Sequence, residues 1–275
     1  MLKKNSSNFS VFGNPIHHTK SPYIHELFSK QTGIIYNYDS TLVPLNKFFE
    51  YMIQFFSHKG IGANITIPFK EKAFLMSDKL TYAAKVSRSV NTFKKLQDGK
   101  ILGDNTDGKG ILYDLIRLKF IKKNDTVLVI GSGGAARGII FSLLLYGCYV
   151  FILNRTMSRA LNLVESFKKF GSISIFQHTK RKDEPFDIVI NAIANIETSS
   201  LWNSIEFLID KKTYFYDINY SINQRTFFLK WCIDRGVLIF SDGIGMLVSQ
   251  AAYSFYLWHN IFPDIESVIL KLQDG

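Results

Sequence analysis

The stretch TVLVIGSGGAARGIIFSLLLYGCYVFIL, residues 126–153, decides the fold that the sequence predicts. It begins with the β-rich run Thr126–Ile130, turns at Gly131–Gly134 and continues through the apolar segment Ala135–Tyr146. A second β-rich run, Tyr149–Leu153, follows almost directly. This order predicts a strand, a turn, a helix and a returning strand, which together make one βαβ unit of an α/β protein.

The turn in this unit has the spacing GxGxxA, with Gly131, Gly133 and Ala136 at the three small positions. Small residues let the backbone approach a pyrophosphate at the helix N-terminus, where unpaired N–H groups and the helix dipole favour anions. A tight turn without a ligand is the alternative, but the flanking strands and helix match the context of a Rossmann-type dinucleotide site. The predicted loop contacts with a cofactor are Gly131, Ser132, Gly133, Gly134 and Ala135.

The end of the second strand distinguishes between the two nicotinamide dinucleotides. NAD sites usually have Asp or Glu there, which accepts hydrogen bonds from the ribose 2′-hydroxyl. This chain instead has Asn154, Arg155 and Thr156, followed by Arg159. A guanidinium pairs with a 2′-phosphate, and each charge-assisted contact contributes about 1.5–3 kcal/mol. Solvated surface arginines are the alternative, but the pattern favours NADP as the cofactor.

Short polar clusters in the N-terminal half provide candidate substrate contacts. Thr19 and Ser21 place two hydroxyls at the start of a predicted helix, where they suit a carboxylate, although Ser21 could simply be the N-cap. Lys70 follows the alternating segment Asn64–Ile67, and Asp107 stands at the start of a later helix. Hydride transfer to a ketone needs a proton donor at the developing alkoxide. A lysine beside an aspartate meets that need, whereas a solvated surface lysine is the alternative.

Strand-like and helix-like segments alternate through most of the remaining chain, as in an α/β protein. Asp98-Gly99 predicts a hairpin turn between the two strands that flank it. The predicted helices are Ser21–Gln31, Leu45–Phe56 and Asn105–Leu118. The predicted strands are Phe9–Gly13, Tyr36–Val43, Ile61–Ile67, Asn91–Leu96, Lys100–Gly103, Asp187–Ala192, Tyr214–Ile218 and Val237–Phe240.

Whole-chain properties narrow the class of protein. A length of 275 residues allows one large or two smaller domains, and the switch in pattern near residues 104–108 suggests a boundary. The net charge of +10 is spread over scattered Lys and Arg, so nucleic acid is not an expected partner. Cys148 and Cys232 form no metal or disulfide motif and are expected to be buried thiols. Because the start is polar and no apolar run could span a bilayer, we expect a soluble cytoplasmic protein without a metal.

Six segments, in this order, resemble the shikimate dehydrogenase family along nearly the whole chain. They are GNPIHHTKSP at 13–22, NITIPFK at 64–70, GDNTDG at 103–108, GSGGAARG at 131–138, NRT at 154–156 and DGIGMLVSQAA at 242–252. The resemblance implies two α/β domains around a cleft. A substrate-binding domain would comprise residues 1–106 and 243–275, and a Rossmann-type NADP-binding domain residues 107–242. The implied activity is a reversible, NADPH-linked reduction of 3-dehydroshikimate to shikimate in aromatic amino acid biosynthesis.

The resemblance also implies roles for individual residues. Lys70 and Asp107 would form the catalytic pair, and Thr19 and Ser21 would bind the substrate carboxylate. The residues implied for the ring hydroxyls are Thr66, Asn91, Asp107, Tyr220 and Gln250. Beyond the glycine loop, the residues implied for NADP are Asn154, Arg155, Thr156, Arg159, Ile218 and Gly243. The implied partners are the small-molecule substrate and NADP, with the protein acting as a monomer or a homodimer.

The chain departs from the family pattern at three places. Thr19 stands where Ser is usual, which keeps the hydroxyl and adds a methyl group. Asn191–Ala194 replaces the usual Asn-Ala-Thr-Ser and loses two hydroxyls near the expected nicotinamide. Thr226–Leu229 lacks the usual proline, for which we expect a local change of loop.

Two other functions remain as alternatives at this point. A quinate or broad quinate/shikimate dehydrogenase is the nearest, but such relatives often prefer NAD or have Thr at the second hydroxyl, so Arg155 and Ser21 argue against it. A non-catalytic dinucleotide-binding or regulatory protein is the other. The presence of both Lys70 and Asp107 argues against that second alternative.

Overall fold

The computed structural model describes residues 8–177, 185–193, 200–221 and 224–273. The chain forms two compact units, each with its own sheet and core. The first unit comprises Met1–Asp107 and Leu247–Leu270, and the second comprises Gly108–Met246 and Lys271–Gly275. Within the described residues, none of the helices has the length and apolar character needed to cross a membrane.

The first unit has a mixed sheet. Its strands are β1 (Phe9–Gly13), β2 (Tyr38–Leu42), β3 (Gly62–Ile65), β4 (Lys79–Leu80), β5 (Thr92–Lys95) and β6 (Ile101–Asp104). The helices between them are α1 (Ser21–Thr32), α2 (Phe48–Ser57), α3 (Lys70–Met76) and α4 (Tyr82–Ser87). The strand order is β2-β1-β3-β5-β6-β4, and β5 runs antiparallel to both of its neighbours while the other pairs are parallel.

The second unit has a fully parallel sheet. Its strands are β7 (Thr126–Ile130), β8 (Tyr149–Leu153), β9 (Ile173–Ile175), β10 (Ile188–Asn191), β11 (Tyr214–Asp217) and β12 (Phe240–Ser241). The α-helices are α5 (Asp107–Arg117), α6 (Gly134–Tyr146), α7 (Met157–Phe167), α8 (Ser200–Asn203) and α9 (Phe227–Asp234). The chain ends with α10 (Ile244–His259) and α11 (Ile265–Gln273).

The strand order of the second sheet is that of a dinucleotide-binding domain. The order is β12-β11-β10-β7-β8-β9, so that strands numbered from β7 follow the sequence 3-2-1-4-5-6 when read from the β9 edge. The order reverses between β7 and β10, and the loops after these two strands lie at the carboxyl edge, where ligands of such sheets bind. The α/β class and the Rossmann-type second unit predicted from the sequence are therefore confirmed.

Helical spacing of apolar residues attaches α1 to the first sheet. Ile24, Leu27 and Phe28 are buried on one face of the helix, and Gly33 ends it with a φ of 71°. Ser21 is already the first helical residue, and the preceding Lys20 occupies the N-cap with near-helical φ and ψ angles. The interpretation of Ser21 as the N-cap is therefore wrong, and its hydroxyl is not used for capping.

The segment Leu247–Leu270 completes the core of the first unit from the far end of the sequence. The indole Nε1 of Trp258, on α10, donates to the carbonyl of Phe93 on β5 at 2.9 Å. Gly62 on β3 leaves the space for this indole, because an added Cβ would lie 2.5 Å from Nε1. This sheet and this helix therefore pack as one body.

The predicted elements agree best where the local pattern is strongest. The strands Phe9–Gly13, Thr126–Ile130 and Tyr149–Leu153 have the predicted bounds, and β5 and β6 form the predicted hairpin. The predicted strand Val237–Phe240 is wrong in its bounds, since pairing with β11 covers only Phe240 and Ser241. Both cysteines are free and buried, as predicted.

The departure from the family pattern at Thr226–Leu229 lies at the start of α9. The Thr226 hydroxyl accepts the backbone N–H of Leu229 at 3.3 Å and caps α9. Phe227 takes the first helical position, and Phe228 is fully buried in the core of the second unit. The segment thus starts a helix without its usual proline.

Candidate active site

The first candidate site is formed by Lys70 and Asp107, the first residues of α3 and α5. The Lys70 Nζ lies 2.5 Å from Asp107 Oδ2, and the two side chains are 14% and 4% exposed. An ion pair so far removed from water has a fixed geometry and a stronger attraction than a surface pair. The small exposed part of Lys70 leaves its ammonium reachable by a ligand.

Asn91 holds the second oxygen of the same carboxylate. Its Nδ2 donates to Asp107 Oδ1 at 2.8 Å, and its Oδ1 accepts the backbone N–H of Thr106 at 2.9 Å. The Asn91 Nδ2 also lies 3.2 Å from Gln250 Oε1 on α10. Four residues implied by the resemblance, Lys70, Asn91, Asp107 and Gln250, are therefore joined by direct hydrogen bonds.

Thr19 and Ser21 form a second polar pair in the first unit. The Thr19 hydroxyl lies 3.1 Å from the Ser21 hydroxyl and accepts the Ser21 N–H at 3.3 Å. Thr66 is half-buried beside Gly13, where an added Cβ would lie 2.4 Å from the Thr66 methyl group. The glycine at position 13 therefore leaves the room that Thr66 occupies.

Behind Asn91 lies a buried polar cluster that the sequence analysis did not identify as functional. It consists of Asn64 on β3, Thr92 on β5 and Ser254 on α10, all buried. Asn64 Nδ2 donates to Thr92 Oγ1 at 3.1 Å and to Ser254 Oγ at 3.0 Å. One signal was present in the sequence, because Asn64 is polar within a strand whose other residues are apolar or glycine.

The second candidate site is the glycine loop after β7. Gly131 has a φ of +115°, which favours glycine, and an added Cβ would lie 3.0 Å from the Ala192 carbonyl after β10. Gly133 is the N-cap of α6 and has no side chain that could cap the helix. The positive end of the helix dipole at this loop favours an anion.

Arg155 and Arg159 lie after β8 and are exposed. Asn154 Nδ2 donates to the Thr156 carbonyl at 2.9 Å, which shapes the turn that carries Arg155. Within residues 8–177, 185–193, 200–221 and 224–273, no carboxylate forms an ion pair with either arginine. Both guanidinium groups can therefore bind a phosphate without first breaking an ion pair with one of the described carboxylates.

Ile218 and Gly243 meet at the ends of β11 and β12. An added Cβ at Gly243 would lie 2.2 Å from the Ile218 carbonyl, so this position has no room for a side chain. Burial raises the pKa of the neighbouring Asp242 to about 6, with the charges of Asp217 and Asp114 adding to the shift. Tyr220, implied for a substrate hydroxyl, is half-buried in the second unit.

The second departure from the family pattern is described only in part. Asn191 keeps a structural role, since its Nδ2 donates to Asp217 Oδ1 at 2.9 Å and its Oδ1 accepts from Trp202 Nε1 at 3.3 Å. The Ile193 carbonyl accepts from Asn219 Nδ2 at 2.7 Å. Ala194 lies outside the described residues.

Three family models match the chain in consecutive segments. Residues 11–93 match the shikimate dehydrogenase substrate binding domain. Residues 115–220 match the shikimate/quinate 5-dehydrogenase model, and residues 243–269 match the shikimate 5′-dehydrogenase C-terminal domain. The first and third matches fall mainly in the first unit, and the second match falls in the second unit.

Similar proteins match over essentially their full length. The shikimate dehydrogenase (NADP(+)) of Buchnera aphidicola subsp. Baizongia pistaciae is 59% identical and covers 99% of this chain and 98% of its own. The Aquifex aeolicus shikimate dehydrogenase structure has a TM-score of 0.86 at 28% identity over 100% of both chains. The Thermus thermophilus shikimate 5-dehydrogenase, solved with NADP(H) and shikimate, has a TM-score of 0.83 at 28% identity over 97% and 98%. The chain therefore belongs to the shikimate dehydrogenase family.

Proposed function

We propose that the protein catalyses the reversible, NADPH-linked reduction of 3-dehydroshikimate to shikimate. The observation that carries the proposal is the Lys70–Asp107 pair, with 2.5 Å between ammonium and carboxylate. Asn91 and Gln250, which adjoin this pair, offer the amide groups that a ring with several hydroxyls requires. Family membership supplies the substrate class, because the relatives at 59% and 48% identity are named shikimate dehydrogenase (NADP(+)).

In this reaction Lys70 donates a proton to the ketone oxygen. NADPH, when bound, supplies the hydride that reaches the carbonyl carbon. The ammonium of Lys70 stabilises the developing alkoxide before the proton moves. Asp107 holds that ammonium through Oδ2, while its Oδ1 is held by Asn91, so that the lysine cannot turn away. In the reverse direction the neutral Lys70 accepts the hydroxyl proton of shikimate.

Thr19 and Ser21 are proposed to bind the substrate carboxylate. Neither hydroxyl caps α1, and the Thr19 hydroxyl donates to that of Ser21 at 3.1 Å, a bond that a bound carboxylate would replace. Thr66, Asn91, Asp107, Tyr220 and Gln250 are the proposed contacts of the ring hydroxyls.

The second unit offers the groups that NADP requires. The glycine loop from Gly131 to Ala135 and the N-terminal end of α6 fit a pyrophosphate. The turn from Asn154 to Arg159 fits the 2′-phosphate, because its arginines are exposed and no described carboxylate pairs with them. Ile218 and Gly243 are proposed to lie against the nicotinamide end, where the missing side chain at Gly243 leaves room for the Ile218 carbonyl.

The domain roles follow from these assignments. We infer that residues 1–106 and 243–275 form the substrate-binding domain and that residues 107–242 form the NADP-binding domain. A cytoplasmic location, the absence of nucleic-acid and membrane partners, and a monomeric or homodimeric state stay predictions. Sedimentation of the purified protein would distinguish a monomer from a homodimer.

The test is an assay of the purified protein with shikimate and either NADP⁺ or NAD⁺, following the absorbance of the reduced cofactor. We expect reduction with NADP⁺ and much less with NAD⁺. Quinate in place of shikimate should give little activity. Faster turnover of quinate with NAD⁺ would favour a quinate dehydrogenase, and no reduction under any condition would contradict an enzymatic function.

A further inference from the structure

A chain of hydrogen bonds leads from Tyr38, a residue of β2 that the proposed function does not use, to the Lys70–Asp107 pair. The Tyr38 hydroxyl donates to Asn64 Oδ1 at 2.7 Å. From Asn64 the chain continues through Thr92 to Asn91, which donates to Asp107.

The donors and acceptors along this chain have a single consistent direction. Asn91 Oδ1 accepts a backbone N–H, which cannot accept in return, so its Nδ2 must face the Asp107 carboxylate. The Thr92 hydroxyl donates its one proton to Asn91 Oδ1 at 2.8 Å. The Ser254 hydroxyl lies 2.7 Å from that of Thr92 and 3.1 Å from the Gln250 carbonyl, which can only accept, so Ser254 has two acceptors for its one proton. Thr92 thus fixes the amide that orients Asp107.

Tyr38 is fixed at the other end of the chain. The His25 ring stacks on it with 4.0 Å between centroids and an interplanar angle of 12°. Burial lowers the pKa of His25 to about 3, so the stacked ring is neutral. Burial also raises the pKa of Tyr38 well above its usual value, so the phenol keeps the proton that it donates to Asn64.

The chain depends on residues from distant parts of the sequence. Ser254 on α10 contacts Thr92 on β5, 162 positions away, and Asn64 on β3, 190 positions away. Because Asn64, Thr92 and Ser254 are all buried, none can exchange these partners for bulk water. Loss of one hydroxyl therefore leaves a buried group without its partner and frees the next side chain to turn.

We propose that Thr92 and Ser254 are positioning residues for the proposed reaction, on which this inference rests. Thr92, supported by Ser254, sets the Asn91 amide and through it the Asp107 carboxylate. Loss of the Thr92 hydroxyl should therefore lower kcat.

The decisive variant is Thr92→Val, which keeps the side-chain shape and removes the hydroxyl. We expect kcat to fall about tenfold with the KM for NADP⁺ unchanged, because a small misplacement of a reacting group is costly. Thr92→Ser restores the hydroxyl and should recover kcat to within about twofold of the unmodified protein. Equal losses in the Val and Ser variants would indicate packing rather than hydrogen bonding and would overturn the inference.

Two further variants complete the test. Ser254→Ala, on a helix rather than in the sheet, should lower kcat about threefold and serves if Thr92→Val does not fold. Ser10→Ala removes a buried hydroxyl that bonds only to Val11, Asp39 and Thr41, and should change neither constant.

The outcomes separate this inference from the proposed function. An unmodified protein that does not reduce NADP⁺ with shikimate would refute the function itself. An active unmodified protein whose Thr92→Val and Ser254→Ala variants retain full kcat would refute the positioning role alone. Thermal unfolding midpoints measured on the same samples show whether any loss of activity reflects loss of folded protein.

Discussion

The two units build their candidate sites in opposite ways. The site of the first unit consists of side chains that hold one another, and its Lys70–Asp107 pair is 14% and 4% exposed. The site of the second unit consists of backbone at Gly131 and of arginines that are exposed and have no ion pair with a described carboxylate. Proton transfer needs fixed atoms away from water, whereas an anionic cofactor needs open, positively charged groups. Substitutions in the first unit should therefore lower kcat, and those in the second should raise the KM for NADPH.

The sharpest test of this comparison is Lys70→Ala. We expect kcat to fall about 10³-fold, within the usual contribution of general acid–base catalysis, because no other ammonium contacts Asp107 among the described residues. The affinity for NADPH should stay nearly unchanged, since its proposed contacts lie in the second unit. Steady-state kinetics and NADPH titration measure the two quantities separately.

Lys72→Ala is the matched control for this variant. Lys72 is also on α3, but its ammonium donates to the carbonyl of Leu45 rather than to a carboxylate. Its loss should leave kcat unchanged. Turnover in Lys70→Ala equal to that of the unmodified protein would remove Lys70 from the reaction.

Arg155→Ala tests the other side of the comparison. Loss of a charge-assisted contact of about 1.5–3 kcal/mol should raise the KM for NADPH about 10- to 150-fold and leave that for NADH nearly unchanged. The KM for shikimate should not change. Lys168→Ala, which removes an exposed cation paired with Glu165 at 2.5 Å, controls for the change in net charge. An unchanged preference for NADPH would contradict the phosphate contact.

The smallest expected effect is on stability and concerns Asp242. Burial raises its pKa from the ordinary value of 3.8 to about 6. Between these two pH values the folded state holds a proton on Asp242 that the unfolded state has released. The resulting stabilisation of the folded state is fully present below about pH 4 and is lost as the pH rises through 6. Between pH 4 and pH 7 the free energy of unfolding should fall less in Asp242→Asn than in the unmodified protein. The difference between the two falls should be on the order of 2 kcal/mol.

Urea unfolding followed by tryptophan fluorescence measures this difference, since Trp202 and Trp231 report on the second unit. Asp234→Asn removes an exposed carboxylate from the same unit and should leave the pH dependence unchanged. Identical pH dependence in Asp242→Asn and the unmodified protein would contradict the raised pKa.

The parts of the molecule that the sequence predicted are those that depend on local pattern. The bounds of β7 and β8 follow from β-branched runs beside glycine, and the glycine spacing predicts the turn that leads into α6. The α7 helix was not predicted although its buried residues Ala160, Leu163 and Phe167 follow helical spacing. The α3 helix was not predicted because it buries only Ala73. Short elements of this kind are set by tertiary packing rather than by their own sequence.

The interior of the substrate site could not be derived from residue patterns. Lys70 and Asp107 are 37 positions apart, and by its residue type Lys70 was equally consistent with a surface lysine. The chemistry of proton donation suggested the pair, and the resemblance to a family implied it. Thr92 was visible only as one of several short polar residues and Ser254 carried no signal, because the register of β5 against α10 decides that their hydroxyls meet.

The closing of the first sheet by α10 has a consequence for synthesis of the protein. When the ribosome has made the first hundred or so residues, Asn64 and Thr92 are present, but the hydroxyl of Ser254 and the indole of Trp258 are not. The contacts of Gly62 with Trp258 can therefore form only after the whole second unit has been synthesised, and a protein truncated before Leu247 would lack the segment that completes the core of its first unit.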